Sequence, residues 1–422
     1  MKTLQLAFNL LFVLLLAAPT FQRLTRLFPV TTLYGVEERS PSPRIELRTW
    51  FDGTFQKRFE RAYDERTGFR GQLIKTYNQL NYSLFGRTSG RQGTQVLTGE
   101  DGWLYENEYV TSYIRPRAAD LPALEKIAAD LRRLQDELEK RGIAFCLLIS
   151  PSKAEVYPEN LPPESRALRR AAGPLTSRQK LRPLLAAQGV RCVDAHAMFA
   201  ALKPASPYPL FAVGGTHWNH YGAYLVMQEL FKTIAPALRR KPAVPGIRSV
   251  ELARPRGADE DLALLLNLWH VAASEAPTPY PVAQPATGAV DRLNLLVVGD
   301  SFSFTIIDVM NQARVFDTTQ LLYYNKRLYT FPGMDVPFDY NRVANRPVDS
   351  KSLDWQRVLL DKDAVILEVN EIFLQRAGWG FVQSALSALG APHAGGTTAF
   401  PPLTSDRAAA GPGPSPSPTP AP

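Results

Sequence analysis

Residues 295–304 read LLVVGDSFSF. An apolar run of strand length enters a Gly-Asp pair and then a serine, a pattern in which a buried strand acts as a rigid arm that holds Ser301 out at its end. A serine hydroxyl is a weak nucleophile at neutral pH, so this reading requires a base within hydrogen-bond reach and donors for an oxyanion. The rest of the chain has to supply both.

Histidine is the usual base because its pKa lies near neutrality. Five histidines are present, and two of them, His217 and His220, stand in GGTHWNHYGAY (214–224), where a Gly-rich loop turns into a helix. His196, His270 and His393 lie in less site-like contexts. His217 is therefore the expected base. For the oxyanion, the backbone N–H of Ser301 and the side-chain amide of Asn370 are the candidates. Asn370 ends the apolar run AVILEVN (364–370) and emerges at the same sheet edge, although a strand-end turn residue would look the same.

The flanking chain alternates strand and helix. VLTGEDGWLYENE (96–108) reads as strand, turn, strand, and residues 120–141 form an amphipathic helix closed by Gly142. IAFCLLIS (143–150) is a strand, PSKAEVYPENLP (151–162) a Pro-bounded loop, and a helix near 177–188 leads to the strand GVRCVDA (189–195). Residues 217–238 are helical. Such alternation predicts a parallel α/β sheet with site loops at the C-terminal ends of its strands. Residues 239–290, rich in Pro and Ala, read as an insertion over the sheet with one short helix, ADEDLALLLNLWH (258–270).

The N-terminus, MKTLQLAFNLLFVLLLAAPTF (1–21), is a signal peptide or a short anchor, so the body is expected to be exported. Ala17-Ala18-Pro19 is a poor cleavage site, which favours an uncleaved anchor over cleavage. The expected organisation is a signal segment at 1–30, a helical extension at 31–97, an α/β domain at 98–385 and a Pro/Ala-rich tail at 386–422 that cannot bury enough apolar surface to fold. In the extension, Trp50, Phe51, Phe55, Phe59 and Tyr63 recur at helical spacing, which reads as a core-packing stripe.

Composition is that of a globular protein, with 45% apolar and 21% charged residues. The +8 net charge suits an acidic polymer or an anionic surface, but no Lys/Arg block or nucleic-acid motif accompanies it. Cys146 and Cys192 sit in strand-like runs without metal-ligand spacing, and packing is their simplest role.

GDSF (299–302), His217-Trp218 and VILEVNE (365–371) look like the blocks of an SGNH-type hydrolase in the unusual order histidine, serine, asparagine. With DGWLY (101–105), SPSKAEVYPENLP (150–162), GTHWNHYGA (215–223) and DLALLL (261–266), this order resembles the alginate O-acetyltransferase family (AlgJ/AlgX-like). The resemblance implies a circularly permuted, three-layer α/β/α SGNH hydrolase-like fold outside the cytoplasmic membrane. It implies transfer of acetyl groups to a polysaccharide acceptor, supplied by a multi-spanning membrane acyltransferase, with no metal or soluble cofactor. Ser301 then becomes the acetyl-serine nucleophile, His217 the base and acid, and Asn370 an oxyanion donor.

One position departs from the family. The acid commonly stands two residues before the histidine, and here that residue is Gly215. Loss of a triad acid costs about 10⁴ in kcat in a serine protease. Asp194 and Glu368 are the candidate substitutes; a Ser-His dyad and an inactive site are the other readings. Asp300 is excluded if the backbone is extended there, because its neighbour Ser301 would point the opposite way. Trp218, Tyr105 and Lys153 are the residues expected to touch substrate, each with a competing structural role. A glycan acetylesterase needs the same acyl-serine, and a non-catalytic glycan-binding scaffold is the reading that Gly215 keeps open.

Overall fold

The computed structural model describes residues 2–35, 41–86, 96–116, 120–172, 175–284, 291–333, 338, 343–349 and 353–390. His393 and the expected tail from residue 391 lie outside the described residues, and residues up to Ala388 belong to the helix Phe381–Ala388. The chain divides into two compact units, Met1–Thr94 with Ala263–Val271, and Gln95–Leu262 with Ala272–Pro422.

The first unit is helical. Lys2–Thr25 contains a stretch long and apolar enough to cross a membrane, and it is followed by Leu47–Phe51, Thr54–Glu65 and Arg70–Phe85. The aromatic stripe forms a ladder here, with Phe55 and Phe59 ring centroids 5.9 Å apart and Phe59 and Tyr63 6.2 Å apart. It is not the core stripe that its spacing suggests: Trp50 is 47% exposed and Phe59 51%. Helical periodicity reports one apolar face but does not say what covers it. Part of the expected insertion also belongs to this unit, where Asn78 Nδ2 donates to Leu266 O at 3.1 Å.

The second unit is built on a seven-stranded sheet. Its strands are β1 (Ala144–Ser150), β2 (Cys192–Asp194), β3 (Leu293–Gly299), β4 (Phe316–Tyr323), β5 (Arg327–Pro332), β6 (Ala344–Pro347) and β7 (Ala364–Asn370). They lie in the order β6-β5-β4-β3-β7-β1-β2. From β4 to β2 all neighbours are parallel, while β5 and β6 add an antiparallel edge, so the sheet is mixed rather than wholly parallel.

Alternation along the strands separates the two faces. In β3, Leu295 and Val297 join the core under helices His220–Ile234 and Phe302–Gln312, whereas Leu296 and Val298 face helices Leu121–Glu139, Ser177–Gln188 and Phe381–Ala388. The result is the α/β/α arrangement expected from the sequence. Cys146 and Cys192 sit on adjacent strands yet pack into opposite cores, so they remain free thiols.

Residues 239–290 also hold an antiparallel hairpin, Ile247–Ala253 with Thr278–Ala283, absent from the sequence reading. Pro279 and Pro281 interrupt the second strand, and proline is tolerated in a strand only where its missing N–H is not needed.

Candidate active site

The turn after β3 depends on a glycine. A Cβ at Gly299 would fall 2.1 Å from Ser303 Oγ and 2.7 Å from Glu368 Oε2, so only a bare backbone lets β3 pass under the first turn of the next helix. Asp300 then turns inward: its Oδ1 accepts from Phe302 N at 3.0 Å and its Oδ2 from Asn370 N at 3.1 Å. The inward carboxylate caps two backbone donors and sends Ser301 outward. Ser301 has helical dihedrals (φ −65°, ψ −20°), so Asp300 is taken out of contention by its own hydrogen bonds and not by an extended backbone. Ser301 is half-buried, and neither its N–H nor its Oγ has a hydrogen-bond partner among the described residues.

His217 stands on the loop before helix His220–Ile234, whose N-cap Asn219 accepts from Gly222 N at 2.8 Å. Trp218 fixes that loop to helix Phe302–Gln312 by donating from Nε1 to Phe302 O at 3.2 Å. The His217 ring meets Phe302, the residue after Ser301, edge-on at 4.8 Å between centroids. Its Nδ1 lies 3.0 Å from Asp261 Oδ2, at hydrogen-bond distance although poorly aligned, and its Nε2 is buried without a partner among the described residues.

Burial pulls the His217 pKa down, but the hydrogen-bonding contact and charge of Asp261, then Glu106 and Asp300, raise it overall. Asp261 is itself held by backbone donors, with Oδ1 accepting from Thr216 N at 2.9 Å and from Leu262 N at 2.7 Å. On the other side of Thr216, its hydroxyl donates to Glu106 Oε2 at 3.1 Å. Burial and the Asp261 charge push the Glu106 carboxyl up to about 7, with His217 and the Thr216 hydroxyl opposing.

The expected substitute acids are elsewhere employed. Asp194 caps helix Ala195–Leu202 through Ala197 N at 3.0 Å and pairs with Arg178 at 2.8 Å. Glu368 lies under the nucleophile turn, accepting from Asp300 N at 3.0 Å, Ser303 Oγ at 2.9 Å and Ser150 Oγ at 2.5 Å; burial, then the Asp300 charge, push its carboxyl well up. Asp261 and Glu106 are the carboxylates that sequence reasoning missed. Asp261 heads the DLALLL block, and that position was the available signal.

Asn370 ends β7 near Ser301 as expected, but its amide is fully buried. Its Oδ1 accepts from Ile372 N at 3.3 Å and its Nδ2 donates to Pro151 O at 3.4 Å, which matches the strand-end alternative and leaves one amide proton uncommitted.

Trp218, Tyr105 and Lys153 do not face solvent, a correction to their expected substrate contacts. Tyr105 donates its hydroxyl to Tyr157 O at 2.7 Å. Lys153 is buried, with Nζ within 2.8 Å of the carbonyl oxygens of Leu104, Ala212, Val213 and Gly215, and 4.8 Å from the Trp103 ring centroid. Burial pushes its pKa well down, with Asp261 and Asp259 opposing. Packing decides these roles: Trp218 and Lys153 tie the His217 loop to its neighbours, and Tyr105 is held by Tyr157.

A second charged cluster supports the same loop. His220 Nδ1 lies 3.0 Å from Asp259 Oδ2 and Nε2 lies 3.0 Å from Asp308 Oδ2, all three groups being buried. It joins the segment that carries Asp261 to helix Phe302–Gln312.

A family model described as "SGNH hydrolase-like domain, acetyltransferase AlgX" matches residues 96–306, half of the chain. The chain belongs to this AlgX-type SGNH family. The match includes His217, Asp261 and Ser301, whereas Asn370 lies beyond it. Among curated proteins, the probable alginate O-acetylase AlgJ of Pseudomonas aeruginosa is 30% identical over 181 residues, 42% of this chain and 42% of its own. The AlgJ of Pseudomonas syringae pv. tomato is 27% identical over 244 residues, covering 57% and 58%. The chain spans about half the length of the curated relatives it matches. The solved O-acetyltransferase domain of Pseudomonas putida AlgJ is 19% identical with a TM-score of 0.42, covering 67% of this chain and 93% of that one.

Proposed function

We propose that this AlgX-family chain is an O-acetyltransferase that carries an acetyl group on Ser301 and passes it to a hydroxyl of an exported or cell-surface polysaccharide. The observation that carries the proposal is the His217–Asp261 contact beside Ser301, whose N–H and Oγ have no hydrogen-bond partner among the described residues. Ser301 Oγ attacks the donor's acetyl carbonyl while His217 Nε2 takes its proton; the tetrahedral intermediate collapses, the donor's leaving group departs with that proton, and acetyl-serine remains. The acceptor hydroxyl then gives its proton to His217 and attacks the same carbonyl, and His217 returns that proton to Ser301 Oγ as the second tetrahedral intermediate collapses to free serine and the acetylated sugar. Asp261 stabilises the imidazolium formed in each half-reaction. The Ser301 N–H and the uncommitted Asn370 amide proton are the oxyanion donors of this scheme.

The relatives named alginate O-acetylases support a polysaccharide acceptor, and the net charge of +8 suits an acidic one. The apolar N-terminal helix supports an exported chain anchored in the cytoplasmic membrane, within reach of a multi-spanning acyltransferase that would supply acetyl groups. Intact mass of the full-length chain after incubation with p-nitrophenyl acetate tests the chemistry. One added acetyl group that is absent in Ser301→Ala is the expected result; no adduct and no donor turnover would remove the nucleophile. Adding polysaccharide then distinguishes transfer from an esterase, in which water alone clears the adduct.

A further inference from the structure

Among the described residues the aromatic ladder of the first unit stays largely exposed, Trp50 at 47%, Phe59 at 51% and Tyr63 at 46%, and its neighbours indicate what covers it. Helix Thr54–Glu65 ends against the C-terminal end of the apolar helix Lys2–Thr25. The Arg23 guanidinium lies 5.5 Å from the Tyr63 ring centroid. Gly68 packs so closely that a Cβ there would fall 2.1 Å from Pro19 O. In the last turns of the apolar helix, Gln22 closes the following turn by accepting from Phe28 N at 3.0 Å and donating to Phe28 O at 2.7 Å, and the Phe28 ring meets Phe69 at a 48° tilt with centroids 5.6 Å apart.

If Lys2–Thr25 spans a bilayer, this junction stands at the level where hydrocarbon gives way to headgroups. The ladder begins there. Phe55, Phe59 and Tyr63 form one stripe, and Trp50 continues it with its ring centroid 5.3 Å from that of Phe55. Lys57, Arg58, Glu60, Arg61 and Asp64 occupy the rest of the same helix. A short helix with an aromatic stripe and a charged remainder is the composition of an interfacial helix, and Trp and Tyr are enriched at this depth.

We infer that helix Thr54–Glu65 lies in the membrane–water interface, with Trp50, Phe55, Phe59 and Tyr63 seated among the lipid headgroups. It is a second contact with the bilayer, parallel to the surface, added to the helix that crosses it. The inference rests on the proposal that the N-terminal helix is retained as an anchor.

Spin labels on the full-length chain in phospholipid nanodiscs test it, with Cys146 and Cys192 replaced by Ala. A label at Phe59→Cys should be accessible to oxygen, shielded severalfold from a water-soluble nickel chelate relative to a label at Glu60→Cys, and about 5–10 Å below the headgroup boundary. Equal chelate access at both positions would overturn the inference, as would a Phe59→Cys label closed to both reagents, the signature of a covering protein. Intact mass of the membrane-extracted chain separates the premise from the inference. Loss of the N-terminal residues would overturn the anchor and the interfacial helix with it, whereas a retained anchor with a water-exposed Phe59→Cys label would overturn the interfacial helix alone.

Discussion

Asp261 Oδ2 lies 3.0 Å from Nδ1 of His217, brought there by a segment that crosses the loop from far along the chain. This is the position from which a carboxylate fixes the imidazole tautomer and stabilises its charged form. Asp261→Asn should therefore lower the rate of Ser301 acylation by about 10²–10⁴. Asp194→Ala should leave acylation within about twofold while removing a helix cap worth about 1 kcal/mol. Initial rates with p-nitrophenyl acetate, beside thermal melts of both variants, check the pair. Equal losses of rate would return Asp194 to the site.

Restoring an acid at the usual family position should not rescue acylation. A Cβ at Gly215 would sit 2.5 Å from Ala258 O and 3.0 Å from Asp259 Cα, so the segment that delivers Asp261 occupies the space a side chain at 215 would need. Gly215→Asp should destabilise the fold by about 1–3 kcal/mol, the usual cost of overpacking. In an Asp261→Asn background it should restore no acylation. Urea unfolding and the ester assay measure the two effects, and recovered activity in the double variant would show that the crossing segment yields.

The turn that carries Ser301 is legible in the sequence because its determinants are local. LLVVG has to be a buried strand, and GDS has to leave it sharply. His217 follows from a Gly-rich loop ahead of a helix. Asp261 was not legible as the carboxylate beside His217 because it arrives there through tertiary packing, with only its place at the head of DLALLL as a signal. Lys153 misleads for a related reason: a lysine in a Pro-bounded loop looks solvated until four carbonyls converge on it. The 50–63 stripe shows the complementary failure, in which the apolar face is real and its environment is not written in the pattern.

Lys153→Met tests the buried ammonium as a structural brace. Replacing Nζ strands the carbonyls of Leu104, Ala212 and Gly215, while Val213 O keeps the Leu104 N–H at 3.0 Å, and unsatisfied buried groups cost about 1–3 kcal/mol each where water does not enter. A loss of at least about 3 kcal/mol in urea unfolding is expected. A variant of unchanged stability with a weakened affinity for acidic glycan would instead make Lys153 a substrate contact.

His220 predicts how stability varies with pH. Burial pulls its pKa down, but the charge and hydrogen bond of Asp259, then those of Asp308, outweigh burial and push it up to about 9 from 6.5. A group whose folded pKa is raised binds its proton more tightly when folded, so its contribution is fully present below pH 6.5 and lost as pH rises through 9. The shift corresponds to roughly 3 kcal/mol. Glu106, raised from 4.5 to about 7, has the same sign and loses its contribution mostly below neutrality; above it the raised His217 and Glu368 share the sign of His220, whereas Lys153, whose pKa burial pushes well down, has the opposite sign. The His220 share of the free energy of unfolding should therefore fall between pH 7 and 9. In Asp308→Asn that fall should be smaller, because one of the two carboxylates that hold the imidazolium is gone. Urea titrations at several pH values measure it. An equal slope in wild type and Asp308→Asn would mean that His220 is neutral in the fold, and that the link between the Asp261 segment and the nucleophile helix is made by ordinary hydrogen bonds.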